Sequence, residues 1–144
     1  MKNTTAGPQP SGRSYVVVLD LDDDVLESLA AFLTAQRIAA AKFYGIGGFR
    51  RATLAYYDME AKRYLPIEVG EQVEVASLIG NVATYQDAPR VHAHCVVAHR
   101  DGRTTGGHLL SAVVRPTLEL VVEEIAAGMR RTDRPNIGIP LLDF

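Results

Sequence analysis

From residue 38 onward the chain reads almost without interruption as strand, and nothing else constrains its fold so strongly. The runs "IAAAKFYGIGG", "FRRATLAYYD", "KRYLPIEV", "QVEVASLIGNVATY", "RVHAHCVVAH", "RTTGGHLLSAVV" and "TLELVVEEI" are rich in β-branched and aromatic residues and are separated by turn residues. Ahead of them, "SYVVVLDL" (14–21) is another β-type run, closed by the acidic stretch Asp22–Asp24. Val25, Leu26, Leu29, Phe32 and Leu33 then recur at helical spacing, which predicts one amphipathic helix over residues 24–36. Carboxylates at its start would satisfy free N–H groups and oppose the positive end of the helix dipole. One main helix near the N-terminus followed by about seven more strands predicts a single α+β domain, mostly antiparallel β-sheet.

The 144 residues are 47% hydrophobic, enough for one compact core. A single cysteine, Cys95, excludes an intramolecular disulfide framework and suits a reducing compartment. Residues 1–13 are rich in Pro, Gly, Ser and Thr without periodicity, so they read as a disordered tail ahead of a domain spanning 14–144. The opening "MKNTTAGPQPSGR" lacks the apolar stretch of a secretion signal, and no apolar run approaches the ~20 residues of a membrane helix. The expectation is a cytoplasmic protein with no membrane partner.

Net charge is −2, from 15 Lys+Arg against 17 Asp+Glu. A nucleic-acid binder usually shows a basic excess or stripe, and this chain shows neither. Its small arginine groups, Arg50–Arg51 and Arg130–Arg131 with Arg134, read as solvated surface. The closing "RRTDRPNIGIPLLDF" reads as a tail whose Ile137, Ile139, Leu141, Leu142 and Phe144 cover apolar surface on this subunit or a neighbouring one.

"GIGGF" (45–49) has the glycines of a phosphate loop but not its context. A dinucleotide fingerprint opens a helix, whereas "FRRATLAYYD" follows here as strand, so Gly45, Gly47 and Gly48 predict a turn or bulge. Cys95 would point away from its histidine neighbours and reads as a buried structural thiol. Ser77 and Ser111 lack a nucleophile-elbow motif.

All four histidines fall within "VHAHCVVAHRDGRTTGGHLL" (91–110). His92 and His94, two apart on a strand, leave the same face. Whether His108 joins them depends on register. A two-residue Asp101–Gly102 turn would set His108 against Cys95, on the wrong face. A three-residue loop, Arg100–Asp101–Gly102, with Gly102 left-handed, would pair His99 with Arg103 and bring His94 opposite His108. Facing Cβ atoms would then be about 4.5–5.5 Å apart, close enough to share an ion. A bulge at Gly106–Gly107 would rescue the first register. Three imidazoles on one face suit zinc, with a fourth position open for water or a small-molecule ligand; Ni, Cu and Fe also accept imidazole. His99 has the opposite parity and stays outside. The side-chain-free Gly106 and Gly107 leave room for a ligand or a neighbouring backbone.

The stretches "GIGGFRRATLAYYD", "EQVEVASLIGNV", "VHAHCVVAHRDGRTTGGHLL" and "TLELVVEEI", in this order, resemble the PPC (plants-and-prokaryotes conserved) domain over residues 14–125. The resemblance implies an α+β homotrimer in which His92, His94 and His108 are the zinc ligands. It also implies membership of a family provisionally described as DNA-binding, because plant members carry an AT-hook with an Arg-Gly-Arg-Pro core. That core is absent here, where "SGRSY" (11–15) is only a stray Gly-Arg, and the segment "GEQVEVASLIG" (70–80) departs from the plant pattern. The HxH…GGH arrangement is also similar to the zinc-histidine site of acetolactate decarboxylases. That resemblance implies an alternative: a small zinc-dependent enzyme acting on a carbonyl or carboxylate metabolite, with Arg50, Arg51 and Glu74 as candidate helpers.

Overall fold

The computed structural model describes residues 12–126 and 128–143. Eight strands and one helix follow the order β1 (Ser14–Leu19), α1 (Val25–Ala35), β2 (Ala41–Asp58), β3 (Arg63–Val69), β4 (Val73–Tyr85), β5 (Ala88–Ala98), β6 (Thr104–Glu124), β7 (Arg130–Arg134) and β8 (Ile139–Asp143). The chain is mostly β-sheet with one short helix. Most of the predicted tail, residues 1–11, lies outside the described residues. Arg13 already belongs to the fold, donating from Nε to Glu124 Oε2 at 2.9 Å and from Nη2 to Gln36 O at 3.0 Å.

Two long strands organise the sheet. β2 pairs along one edge with β6 and along the other with β4, then β3. β6 pairs with β5 near its start and with β1 near its end, and β5 pairs with β4. The ring β2–β6–β5–β4 is therefore closed, and all its pairings are antiparallel. Closure of this ring gives the barrel an inside, while β1, β3 and β8 each pair on one side only. Phe49, Leu54, Leu78, Val82, Leu118 and Leu120 fill that inside and are fully buried.

The helix forms as its spacing predicts. Asp24 is the N-cap; its Oδ1 accepts from the N–H groups of Leu26 and Glu27, both at 3.0 Å. Val25, Leu29 and Leu33 are its buried face. Each such leucine stabilises the fold by about 1.5–3 kcal/mol.

Of the turn or bulge expected at the glycine cluster, the bulge forms: Gly45 and Gly47 make it within β2, with Gly47 at φ +152. A Cβ at Gly45 would lie 2.5 Å from Glu119 O, so only glycine lets β6 approach there. Pro116 likewise lies inside β6 and joins two runs that read as separate strands. One expectation needs correction, at the C-terminus. The predicted tail is instead an antiparallel hairpin, β7 with β8, tied to β4 by one parallel bridge between Thr84 and Arg130. Among the described residues no helix is long and apolar enough to cross a membrane.

Candidate metal centre

The turn between β5 and β6 takes the three-residue form. His99 N donates to Arg103 O at 2.8 Å, Gly102 N donates to His99 O at 2.9 Å, and Gly102 sits at φ +84. From there the ladder runs Ala98–Thr104, Val97–Thr105, Val96–Gly106, Cys95–Gly107 and His94–His108. The register that would have set His108 against Cys95 does not occur. Gly107 serves a neighbouring backbone rather than an ion, since a Cβ there would lie 2.7 Å from Ala55 O.

His92, His94 and His108 thus converge. Their ring centroids are 5.1 Å (His92–His94), 5.0 Å (His92–His108) and 5.3 Å (His94–His108) apart, and one nitrogen from each lies within 4.8 Å of the others. His92 Nε2 and His94 Nε2 stand 3.2 Å apart. Zinc–nitrogen bonds of about 2.0–2.1 Å at a tetrahedral angle separate two ligand nitrogens by about 3.3 Å, so this spacing fits one ion. His108 Nδ1 is buried without a hydrogen-bond partner, an orphan that a donor set for a metal would explain. Burial, then Arg131, His94 and Arg90, pushes His92 down to about 4. Burial, then the neighbouring histidines and arginines, pushes His108 down to about 4 as well. Both rings are therefore neutral near pH 7, the form in which imidazole binds a metal. The set could hold a divalent transition metal.

One face of this cluster is walled by parts of the chain remote in sequence. Tyr64, on β3, stacks on His108 with centroids 4.6 Å apart and planes at 24°. Tyr57 packs edge-on against Tyr64 at 4.9 Å, and its hydroxyl donates to Ile137 O at 2.6 Å. The hairpin thereby buttresses the stack. Arg131, on β7, is buried; Nη2 donates to Asn81 Oδ1 at 2.6 Å and stands 3.3 Å from His92 Nδ1. Burial and the nearby Arg90 cation both lower its pKa. A histidine that ligates through Nε2 carries its proton on Nδ1. In that tautomer the His92 Nδ1–H and the Arg131 Nη2–H face each other as two donors, and an acceptor against both would relieve the conflict.

Between these groups lies a cavity of about 240 Å³, lined by Tyr64, Arg90, His92, His108, Leu110, Arg131 and Ile139–Leu141. The sequence-based helpers are elsewhere. Arg50 is ion-paired to Asp22 at 2.7 Å, Arg51 is exposed opposite Val113, and Glu74 is exposed opposite Ala98. His99 stays outside the cluster as its parity requires, held 2.8 Å from Glu71 Oε1 and 2.8 Å from Thr105 Oγ1. Cys95 is buried, and burial pushes its thiol up to about 11, consistent with a structural role.

Arg131 is the residue that sequence reasoning misread, as solvated surface. The available signal was "RPNIG", whose proline, asparagine and left-handed Gly138 (φ +95) make a hairpin turn between "RRTD" and "IPLLD". Arg90 was within reach of the parity rule, since it lies two residues before His92 on the same face of β5.

A family model for the Plants and Prokaryotes Conserved (PCC) domain matches residues 7–126. A metal-containing protein from Archaeoglobus fulgidus is 32% identical with a TM-score of 0.87, over 96% of this chain and 98% of that one. A plant- and prokaryote-conserved (PPC) protein from Pyrococcus horikoshii gives a TM-score of 0.90 at 27% identity, over 98% of both chains. A Bacteroides thetaiotaomicron protein provisionally described as DNA-binding gives 0.88 at 29%, over 94% of this chain and 95% of that one. Acetolactate decarboxylase from Bacillus subtilis strain 168 shares the fold alone: TM-score 0.58, 14% identity, 88% of this chain and 59% of that one. Among curated proteins, the bifunctional protein GlmU of Synechococcus sp. (strain JA-3-3Ab) is 31% identical over 121 residues, 81% of this chain but 18% of its own length.

Proposed function

The chain belongs to the Plants and Prokaryotes Conserved domain family, and from that premise we propose that it binds a divalent transition metal through His92, His94 and His108. Zinc is the foremost candidate, and the remaining position takes a small-molecule ligand in a regulatory role. The observation that carries this reading is the convergence of three imidazoles, with two Nε2 atoms 3.2 Å apart and a buried unpartnered His108 Nδ1. The adjoining cavity and the metal-containing Archaeoglobus fulgidus relative support it. A bound ion would supply a Lewis-acidic centre. Tyr64 and Arg131 would orient the His108 and His92 rings. A lone buried Cys95 agrees with a reducing, cytoplasmic setting.

The unit expected of the family is a homotrimer, and one surface supports a multimer. Register aligns Val16, Val121, Tyr44, Ile79 and His94 across five strands. Val16, Tyr44 and Ile79 in this row are 77%, 50% and 58% exposed. A contiguous apolar row on a sheet face calls for a cover, and it ends at a ligand of the centre.

DNA binding is the weaker part of the reading. Net charge is −2, and Lys42, Arg13, Arg50, Arg103 and Arg134 are each ion-paired to a carboxylate, which disfavours tight binding to phosphates. Binding should be weak near physiological salt and collapse as salt rises. The enzyme alternative has the shared fold in its favour, but among the described residues no carboxylate lines the cavity to act as acid or base.

Elemental analysis tests the metal. The wild type should hold about one ion per chain, and His92→Ala, His94→Ala and His108→Ala should each lose it while remaining folded by circular dichroism. Undiminished metal in the three variants would refute the site.

A further inference from the structure

A buried cation with no anion of its own lies beside the histidines. Arg131, 8% exposed, is the only charged side chain buried among the described residues. Its polar partners are neutral, Asn81 Oδ1 at 2.6 Å, His92 Nδ1 at 3.3 Å and Pro140 O at 3.5 Å, and its buried Nε has no partner. Arg90, on the same strand face as His92, stacks over Tyr85 at 5.0 Å. Neither arginine joins any of the described ion pairs, and among the described residues no carboxylate lines the cavity they share. Taking a guanidinium out of water is costly unless an opposite charge compensates it. Three neutral imidazoles would leave the charge of a bound ion uncompensated too, so metal loading deepens the deficit of anion.

We propose that the cavity between His92, His108 and the β7–β8 hairpin is an anion site for a small organic carboxylate, with Arg131 and Arg90 as its binding residues. The planar guanidinium fork matches a carboxylate in particular. The opposite wall is apolar, from Leu110, Ile139 and Leu141, so the anion carries a short hydrocarbon part. At about 30 Å³ per water-sized group, the 240 Å³ cavity admits an anion of up to about eight non-hydrogen atoms. Inorganic phosphate would leave the apolar wall unused. The inference deepens the reading of the site as a metal and ligand centre and rests on it for the ion's added charge; the two arginines are present in either case.

The test is calorimetric titration of the full chain, zinc-loaded and after EDTA treatment, with acetate, 2-methylpropanoate, 3-methylbutanoate and inorganic phosphate at equal ionic strength. Elemental analysis runs in parallel. Saturable one-to-one binding should favour the branched carboxylates over acetate and over phosphate. Arg90→Ala and Arg131→Lys should weaken it about ten- to a hundredfold, the range expected for a lost charge-assisted bond, and Arg90→Ala should leave zinc content unchanged. If Arg131→Lys fails to fold, exposed Arg90 decides the matter. Absence of saturable binding in both forms, equal binding by the variants, or tightest binding of phosphate would each overturn the proposal. Zinc retained without carboxylate binding sinks this inference and leaves the metal site standing. Arginine-dependent carboxylate binding without zinc does the reverse.

Discussion

Gly107→Ala should damage the histidine centre without altering any of its ligands. A Cβ at this position would lie 2.7 Å from Ala55 O and 3.3 Å from Ala55 N. Carbon contacts are comfortable from about 3.5 Å, so β2 and β6 would have to part locally by about 0.8 Å. Ala55 is the β2 partner of His108, which puts the displacement on a ligand's own backbone. Overpacking of this kind costs about 1–3 kcal/mol. For a domain of this size each kcal/mol lowers Tm by about 2–4 °C, so a fall of about 2–12 °C is expected. Metal–ligand distances tolerate about 0.2 Å, and misplacing a ligand's support typically loses about tenfold or more in metal affinity. Gly106→Ala is the matched control, because its Cβ would meet nothing closer than 3.3 Å. Thermal melting of the metal-free variants, followed by zinc titration against a competing chelator, separates the two effects. If Gly107→Ala melts and binds zinc like Gly106→Ala, the backbone-approach reasoning is wrong.

Three other outcomes follow from the same geometry. Folding holds His92 and His108 near 4 against an ordinary value of 6.5, so between those pH values the unfolded chain binds more protons. Stability of the metal-free protein should therefore be full above pH 6.5 and fall as the pH drops toward 4; urea midpoints across this window check it, and a flat profile contradicts it. Asp24→Ala removes the acceptor of two helix N–H groups and should cost about 1 kcal/mol, read as a shifted denaturation midpoint at unchanged slope. Ile79→Lys sets a charge in the exposed apolar row beside His94 and should lower the mass seen in light scattering to that of a monomer. A multimer that persists through this change would exonerate the row.

What the sequence revealed of this molecule follows from how local each signal is. The helix was legible because its cap and buried face lie within a single dozen residues. The histidine register was legible because one loop, with Gly102 left-handed, fixes parity on both strands that it joins. Cys95 was legible by the same alternation. Strand ends were not: the cluster at Gly45–Gly48 allowed either a turn or a bulge, and Pro116 looks like a break when read locally. The long neighbouring strand absorbs the first as a bulge, and β6 runs through the second. A bulge is defined by its partner strand, which no local window contains.

Arg131 shows where the limit lies. "RRTDR" gives every local sign of solvated surface, and the same residues in an isolated hairpin would be so. Its burial is decided by the docking of β7–β8 against β4, where Asn81, itself paired with His92, offers the acceptor. The centre therefore has two layers of different origin. Its floor is three histidines set by one turn, and its wall is Tyr64, Arg131 and the hairpin, brought in from separate parts of the chain. The floor alone says that an ion can sit there. The wall, with two cations, an apolar side and no acid among the described residues, gives the cavity its chemistry. Hence what distinguishes this cavity lies in the segment whose sequence looks least informative.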